Sequence, residues 1–373
     1  MKSPATFFLK PALPGAKSMC MQKRKTREIN IGNVCIGGDN PIRVQSMTNT
    51  PTRDVQATLN QINSLVRAGC ELVRLAVPDM ESALSLPEIK SRSPVPLIAD
   101  IHFDHRLALK SLEAGMDGLR LNPGNIGGPG KVSRVVQEAG KRGVPIRIGV
   151  NSGSVEKKLL EKYGGPVPEA MVESAMGHVR LLEEQGFELI KVSLKSSSVP
   201  DTIKAYSLMA DERDYPLHIG ITEAGTPLRG AAKSGVGLGI LLHLGLGDTL
   251  RVSLTGSPVQ EMTVVWEILR SLGLRQRGPE IISCPTCGRT EIDLPALAQA
   301  VEDRLRDVDK VFTVAVMGCV VNGPGEAREA DIGLAGGRDC GMIFRKGEIV
   351  RKVRGKDLIP EFMAELDRFL DLT

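Results

Sequence analysis

Cys284-Pro-Thr-Cys287 and, 32 residues further on, Cys319 are the side chains of this chain best suited to hold a metal centre. Two thiolates separated by two residues can reach one centre from a single turn of backbone. Cys319 follows the apolar run Val311 to Val316 and precedes Asn322-Gly-Pro-Gly325, whose glycines and proline favour a turn over a helix. That turn ends in Glu326, a hard oxygen ligand close to a soft sulfur one. Three thiolates and a carboxylate describe a site closed on three sides and exchangeable on the fourth. The competing assignment is structural zinc. No histidine lies beyond His243, which removes a three-cysteine, one-histidine zinc site from this region. A four-cysteine site would need Cys340, which has no Cys-x-x-Cys partner. The glycine-rich turn before Glu326 suits wrapping a bulky iron–sulfur cube more than one small ion. A cube with three thiolates leaves one iron open to an oxygen ligand, the arrangement for chemistry at the cluster rather than electron relay. Cys20, Cys35, Cys70 and Cys340 read as ordinary thiols.

A second set of residues alternates along short apolar runs. Asp100 and His102 lie two apart, as do Arg120 and Asn122, while Arg147 and Asn151 lie four apart. Lys191, Ser193 and Lys195 alternate; Arg251 and Ser253 do the same; Arg74 and Glu223 stand in or at the end of similar runs. Residues two apart on a strand share a face. Taken singly, each reads best as an interior ion pair or a solvated strand end. Taken together they do not, because charged groups are rarely buried without a partner or a purpose. Arg74, Arg120, Arg147, Lys195 and Arg251 outnumber Asp100 and Glu223. A surplus of cations in one cavity implies a polyanionic ligand, and guanidinium forks suit phosphate oxygens. The expected substrate is small and diphosphorylated. His102 gains weight from its phase with Asp100; His178, His218 and His243 read as structural.

The elements that must position these groups form one rhythm. Strand candidates are Ile42–Gln45, Leu72–Val77, Pro96–Ile101, Gly118–Asn122, Ile146–Val150, Leu189–Leu194, Leu217–Thr222 and Leu250–Leu254. Helical patterns such as Val55–Ala68, Arg106–Ala114, Val132–Lys141, Glu169–Gln185, Thr202–Met209 and Val259–Leu272 lie between them. This alternation predicts an α/β fold, a (β/α)8 TIM-type barrel over residues 29–273. A doubly wound open sheet is the alternative, but no G-x-G-x-x-G opens a first βα turn. Within the glycine-rich Gly225 to Gly247, only Leu238–Leu244 reads as helix. The polar Leu274 to Glu280 suits a linker. Residues 281–373 read as a smaller α+β domain with helices near Leu294–Asp307 and Pro360–Leu370 and strands at Val311–Val316, Ile332–Leu334, Gly341–Arg345 and Glu348–Val353. Residues 1–28, with Lys23-Arg-Lys25, read as a loose extension.

Composition narrows the function. A formal charge of only +4 without a long basic block argues against nucleic acid, and 3% aromatic residues argue against base-stacking platforms. No apolar run approaches the roughly 20 residues that cross a bilayer. Seven cysteines, an odd number, with no obvious signal peptide point to a reducing compartment, hence the cytoplasm.

Several longer motifs carry a resemblance. Met47-Thr-Asn-Thr-Pro-Thr-Arg53, Ala99-Asp-Ile-His-Phe103, Arg120-Leu-Asn-Pro-Gly-Asn-Ile-Gly127, Ile146-Arg-Ile-Gly-Val-Asn151, Gly220-Ile-Thr-Glu-Ala-Gly225, Gly247-Asp-Thr-Leu-Arg-Val-Ser253, Cys284-Pro-Thr-Cys-Gly-Arg289 and Gly318-Cys-Val-Val-Asn-Gly-Pro-Gly-Glu-Ala327 are similar to those of the 4-hydroxy-3-methylbut-2-enyl diphosphate synthase family, in its compact bacterial form. The resemblance implies reductive ring opening of 2-C-methyl-D-erythritol 2,4-cyclodiphosphate. It implies a 4Fe-4S cluster held by Cys284, Cys287 and Cys319, with Glu326 on the fourth iron when substrate is absent. It places Arg74, Arg120, Arg147 and Lys195 on the diphosphate, Asn151 and Ser253 beside them, and Asp100, His102 and Glu223 near the reacting carbons. It also implies a homodimer, with the cluster of one chain facing the barrel of the other, and flavodoxin as electron donor, ferredoxin being the alternative. Two other readings compete: a metal-dependent barrel aldolase or synthase with a zinc-ribbon appendage, and a redox-sensing scaffold. A scaffold has no use for several cations in one cavity.

Overall fold

The computed structural model describes residues 22–319, 329–337, 340–354 and 357–372. The chain divides into two units, one running to Arg275 without Ser64–Gly69 and the other made of that short stretch and the chain from Gln276.

The first unit is a barrel. Eight parallel strands, β3 (Arg43–Met47), β4 (Leu72–Ala76), β5 (Leu97–Asp100), β6 (Gly118–Leu121), β7 (Ile146–Asn151), β8 (Ile190–Lys195), β9 (His218–Ile219) and β10 (Thr249–Leu250), follow one another round the sheet, and β10 returns to β3. The ring closes between β8 and β9 through a Val192–Leu217 bridge and a Val192 N–H donated to Pro216 O at 2.9 Å. Strands β5 to β8 are buried along nearly their whole length, with apolar residues under the covering helices and polar ones such as Arg120, Arg147 and Lys191 among the side chains that fill the inside.

Most crossover helices start at a side-chain cap or with a proline in the first turn. Asp79 accepts the Ser82 N–H at the head of α2 (Met80–Arg92), and Asp104 accepts that of Arg106 at the head of α3 (His105–Glu113). The other crossovers are α1 (Val55–Arg67), α4 (Pro129–Arg142), α5 (Lys157–Tyr163), α6 (Pro168–Glu183), α7 (Val199–Glu212), α8 (Pro227–His243) and α9 (Pro258–Ser271). Helix α2 breaks the expected pattern because Pro87 sits inside it. Helix α8 begins at Pro227, eleven residues before the Leu238 start expected from sequence. Its glycines are packing notches rather than breaks: a Cβ at Gly237 would stand 2.7 Å from Ile221 Cδ1, and one at Gly230 2.5 Å from Leu254 Cδ2. Strands β9 and β10 are shorter than expected, so Glu223, Arg251 and Ser253 lie beyond their ends.

Two features at the start of the unit go beyond the sequence expectation. A hairpin, β1 (Ile29–Ile31) and β2 (Val34–Ile36), turns through Gly32-Asn33 with Gly32 at φ 58°, a left-handed turn that glycine adopts without strain. Its Ile29, Ile31 and Ile36 pack with Leu72 and Ile98, at the starts of β4 and β5, forming an apolar plug at the N-terminal end of the barrel. Of the expected loose extension, residues 22–28 are tied down, and residues 1–21 lie outside the described residues. Arg24 N donates to Gly245 O at 3.0 Å, Lys23 Nζ to Asn40 O at 2.7 Å, and Arg27 Nε to Asp214 Oδ1 at 2.7 Å.

The second unit is a five-stranded sheet in the order β11 (Glu280–Ser283), β12 (Thr313–Met317), β13 (Ile332–Ala335), β14 (Cys340–Arg345), β15 (Glu348–Arg354). The first three strands run parallel and the last two antiparallel. Helices α10 (Leu294–Leu305) and α11 (Leu358–Leu372) supply Leu297, Val301, Phe362 and Leu366 to a core shared with Val314, Val316 and Leu334. The expected linker is shorter than its polar composition suggests, because Glu280 already opens β11.

Candidate active site

Strand register stacks the chemistry of the barrel in tiers. Asp100 pairs with Arg120, Arg120 with Arg147, and Arg147 with Lys191, so four charged residues from four adjacent strands share one level and one face. One level toward the C-terminal ends Gly149 pairs with Ser193, and above that Asn151 pairs with Lys195. Arg74 joins from β4 and Arg251 from just after β10. This is the end of a TIM-type barrel where substrates bind.

Asp100 is the hub. Arg74 Nε lies 3.3 Å from its Oδ2, and Arg120 Nη1 lies 3.1 Å from its Oδ1. Its side chain is 4% exposed. Burial alone would raise its carboxyl; the adjacent Arg74, the His102 hydrogen bond and Arg120 outweigh that and hold it well below the usual carboxylate range. His102 Nε2 stands 3.5 Å from Asp100 Oδ1 and 3.3 Å from Arg120 Nη1, at the open edge, with a side chain 55% exposed.

The cations are less completely matched. Arg251 is held by Glu261 of α9, Nη2 to Oε1 at 3.2 Å, and Glu261 also accepts the Ser46 hydroxyl at 3.0 Å. Met47 Sδ, a weak neutral acceptor, takes Arg74 Nε and Nη2 at 3.1 and 3.0 Å and Arg251 Nη1 at 3.5 Å. Arg147 and Lys191 are 3% and 2% exposed, and Arg147 Nε and Nη1, Arg120 Nε and Lys191 Nζ have no hydrogen-bond acceptor among the described residues. Lys195 Nζ has one neutral neighbour, His218 Nε2 at 3.3 Å. Burial, then the charges of Arg74 and Arg120, holds Arg147 well below the ordinary guanidinium value. Burial first, then Arg147, does the same to Lys191 and Lys195; Arg74 is lowered to about 10. A buried group of cations that outnumbers Asp100 and Glu261, with donors aimed at no acceptor, suits a polyanion.

Glycines make room for it. A Cβ at Gly149 would stand 2.8 Å from Arg120 Nε, and one at Gly220 2.7 Å from Lys195 Nζ. Ser253 and Asn151 are part-buried at the same end. Asn151 N donates to Ser154 Oγ at 2.9 Å, which turns the chain after β7. Glu223 is exposed and lies outside the charge cluster, four residues past β9, with φ at 52°. A non-glycine residue in that left-handed conformation is uncommon and carries backbone strain. Met47, Lys191, His218, Thr249 and Glu261 complete the cluster and were not among the expected site residues. Only the alternation of Lys191 with Lys195 offered a signal.

The cysteines gather at one edge of the second unit. Ser283 pairs with Val316, so Cys284 and Cys319 follow adjacent parallel strands at the same end. Gly318 N donates to Cys284 Sγ at 3.1 Å, and Cys287 N donates to Thr290 Oγ1 at 3.2 Å. The backbone N–H of Arg289, then its charge, draws the exposed Cys287 thiol below its ordinary value. Cys319 is 7% exposed. Among the described residues no three His, Cys, Asp or Glu side chains are gathered as for a single ion. Glu326 lies outside the described residues, as does Cys20. A polarised thiol, an N–H already donating to sulfur and three cysteines on one sheet edge fit thiolate ligation of a cluster wider than one ion.

Residues 26–266 match the description GcpE TIM-barrel domain, and residues 280–368 match GcpE protein C-terminal domain. The 4-hydroxy-3-methylbut-2-en-1-yl diphosphate synthase (flavodoxin) of Maridesulfovibrio salexigens is 68% identical over 351 residues, covering 94% of this chain and 98% of that protein. The protein of the same description from Geobacter sulfurreducens is 64% identical, covering 93% and 99%. Among solved structures, the dihydropteroate synthase of Burkholderia cenocepacia is similar with a TM-score of 0.48 at 17% identity, covering 66% of this chain and 98% of that one. No helix among the described residues is long and apolar enough to cross a membrane.

Proposed function

The chain belongs to the GcpE family, and from that membership we infer that it converts 2-C-methyl-D-erythritol 2,4-cyclodiphosphate to 4-hydroxy-3-methylbut-2-enyl diphosphate. It is an iron–sulfur oxidoreductase of isoprenoid precursor synthesis, and its relatives are described with flavodoxin. The balanced change is one cyclodiphosphate dianion, two electrons and one proton giving the linear diphosphate trianion and water. The carbon–oxygen bond to the ring breaks at the tertiary carbon.

The charge of the product sets what the barrel must do. The diphosphate gains negative charge as that bond breaks, so donors fixed in advance lower the barrier. Arg74, Arg120, Arg147 and Lys195 hold the diphosphate in this reading, with Asn151 and Ser253 at the edge of the anion site. Asp100 keeps Arg74 and Arg120 aimed and leaves Arg147 and Lys195 uncompensated. His102, in contact with Asp100 and Arg120 and with an exposed side chain, is the group best placed to hand over a proton; Glu223 is the alternative. Cys284, Cys287 and Cys319, with Glu326, would hold one 4Fe-4S cluster per chain, which supplies electrons one at a time. Flavodoxin is the proposed donor, the protein works in the cytoplasm as a homodimer, and neither nucleic acid nor membrane is a partner.

The observation that carries this reading is the cluster of buried guanidinium and ammonium donors without acceptors. Anaerobic purification with metal analysis tests it against the zinc-ribbon aldolase. About four irons per chain and turnover of the cyclodiphosphate with reduced flavodoxin support the reductase. One zinc, no iron and no turnover would replace it with the aldolase.

A further inference from the structure

Lysine is a flexible point charge on a four-carbon stem, and an anion site that uses one must fix it. The obvious device is a carboxylate, and Asp100 and Glu261 serve the arginines in that way. Lys195 is handled differently. Its Nζ lies 3.3 Å from His218 Nε2, and His218 Nδ1 lies 2.9 Å from Thr249 Oγ1. Both His218 and Thr249 are 0% exposed. The Val192–Leu217 bridge sets His218 level with Ser193, between the inward-facing Lys191 and Lys195. The Tyr206 hydroxyl donates to His218 O at 2.6 Å and fixes the backbone beneath the ring. Gly220, two residues on, leaves the space that Nζ occupies.

With Nε2 accepting from the ammonium, the ring proton resides on Nδ1 and is donated to Thr249 Oγ1. A neutral acceptor orients the lysine without cancelling its charge, so the remaining ammonium hydrogens stay available to phosphate. Met47 Sδ does the same for Arg74 and Arg251. Burial first, then Lys195, Arg147 and Lys191, keeps the imidazole neutral.

We propose that His218, locked by Thr249, is the positioning residue that holds the Lys195 ammonium on the diphosphate of the substrate. This rests on the reading of Lys195 as a diphosphate ligand. The test uses the cluster-loaded enzyme and steady-state turnover of the cyclodiphosphate, with iron content and thermal unfolding as controls. His218→Leu removes the acceptor and raises KM about tenfold or more, the effect of losing a hydrogen bond to a charged group. His218→Gln, which places an amide oxygen near the Nε2 position, recovers most of that loss; His218→Asn, which reaches only toward Thr249, does not. In a Lys195→Met background His218→Leu adds nothing further, since its effect passes through the lysine. An additive loss, or equal behaviour of the Gln and Asn variants, would overturn the positioning role. Should His218→Leu fail to fold, the Gln and Asn pair carries the decision. If Lys195→Met itself leaves KM unchanged, the diphosphate assignment of Lys195 falls and the inference falls with it. If Lys195→Met raises KM and His218→Leu in the wild-type background does not, only the inference falls.

Discussion

Asp100 shows how one side chain can decide the state of several others. It is buried against Arg74 and Arg120, and removing its charge while keeping its shape strands both guanidinium groups without a counterion. Breaking a buried pair from one side costs about 3–5 kcal/mol. Asp100→Asn should therefore lower unfolding stability by that order in denaturant titrations; a loss below about 1 kcal/mol would mean that water already screens the hub. The lysines carry a pH signature of opposite origin. Lys191 and Lys195 sit well below 10.5 in the folded chain, so between their folded values and 10.5 the unfolded chain binds more protons. Stability contributed by these two groups consequently rises with pH across that window. Lys191→Met should flatten part of that rise in denaturant titrations across alkaline pH; an unchanged slope would show that Lys191 contributes nothing to it. At this scale the sequence was partly legible. The phase of Asp100 with His102, and of Lys191 with Lys195, is visible along single strands. His218 read as structural because its partner Lys195 lies on the neighbouring strand, and register between strands is not written in either run. Glu261 was missed because it reads as an ordinary acid in the first turn of α9; only the packing of that helix brings it to Arg251.

At the scale of elements, what could be read from sequence were the features enforced by repetition. Most barrel strands are apolar-rich runs and most crossover helices begin at Pro, Ser or Asp, so all eight strands stand near where the alternation puts them. Glycines caused the errors, because a residue without Cβ is read as a break whether it frees the backbone or makes room for a neighbour. In α8 it makes room: Gly230 faces Leu254 and the Gly225 carbonyl, and Gly237 faces Ile221. Gly230→Val should cost about 1–3 kcal/mol by overpacking despite the better helix propensity of a non-glycine residue. A variant as stable as the parent in denaturant would show that α8 can move away from the barrel. Gly149→Ala tests a strand in the same way. The added methyl meets Arg120 Nε at 2.8 Å, and Arg120 is pinned to Asp100, so KM for the cyclodiphosphate should rise several-fold while iron content stays unchanged. The hairpin of β1 and β2 was not visible because its strands are three residues each, too short for a period to register.

For the whole chain, a formal charge of only +4 gives no sign that the barrel interior gathers Arg74, Arg120, Arg147, Lys191 and Lys195 around the buried carboxylate of Asp100. Arg74 and Arg120 depress Arg147, and Arg147, Arg74, Arg251 and Arg120 depress Lys195, so these cations repel one another. A polyanion that binds only the folded state relieves that repulsion and stabilises by mass action, about 2.7 kcal/mol at a hundred times its Kd. Inorganic diphosphate should accordingly raise the unfolding temperature by several degrees, and Arg147→Met should abolish most of the gain. All of the proposed anion ligands lie in the barrel unit, whereas the proposed cluster cysteines lie in the other. Cys319→Ser replaces a thiolate with a hydroxyl, a poor iron ligand at neutral pH, and should abolish turnover and cluster retention. The diphosphate-induced stabilisation should nevertheless persist in that iron-poor variant. Its disappearance would mean that the anion site is assembled only when the cluster is in place, and that the barrel charges alone do not define where the substrate binds.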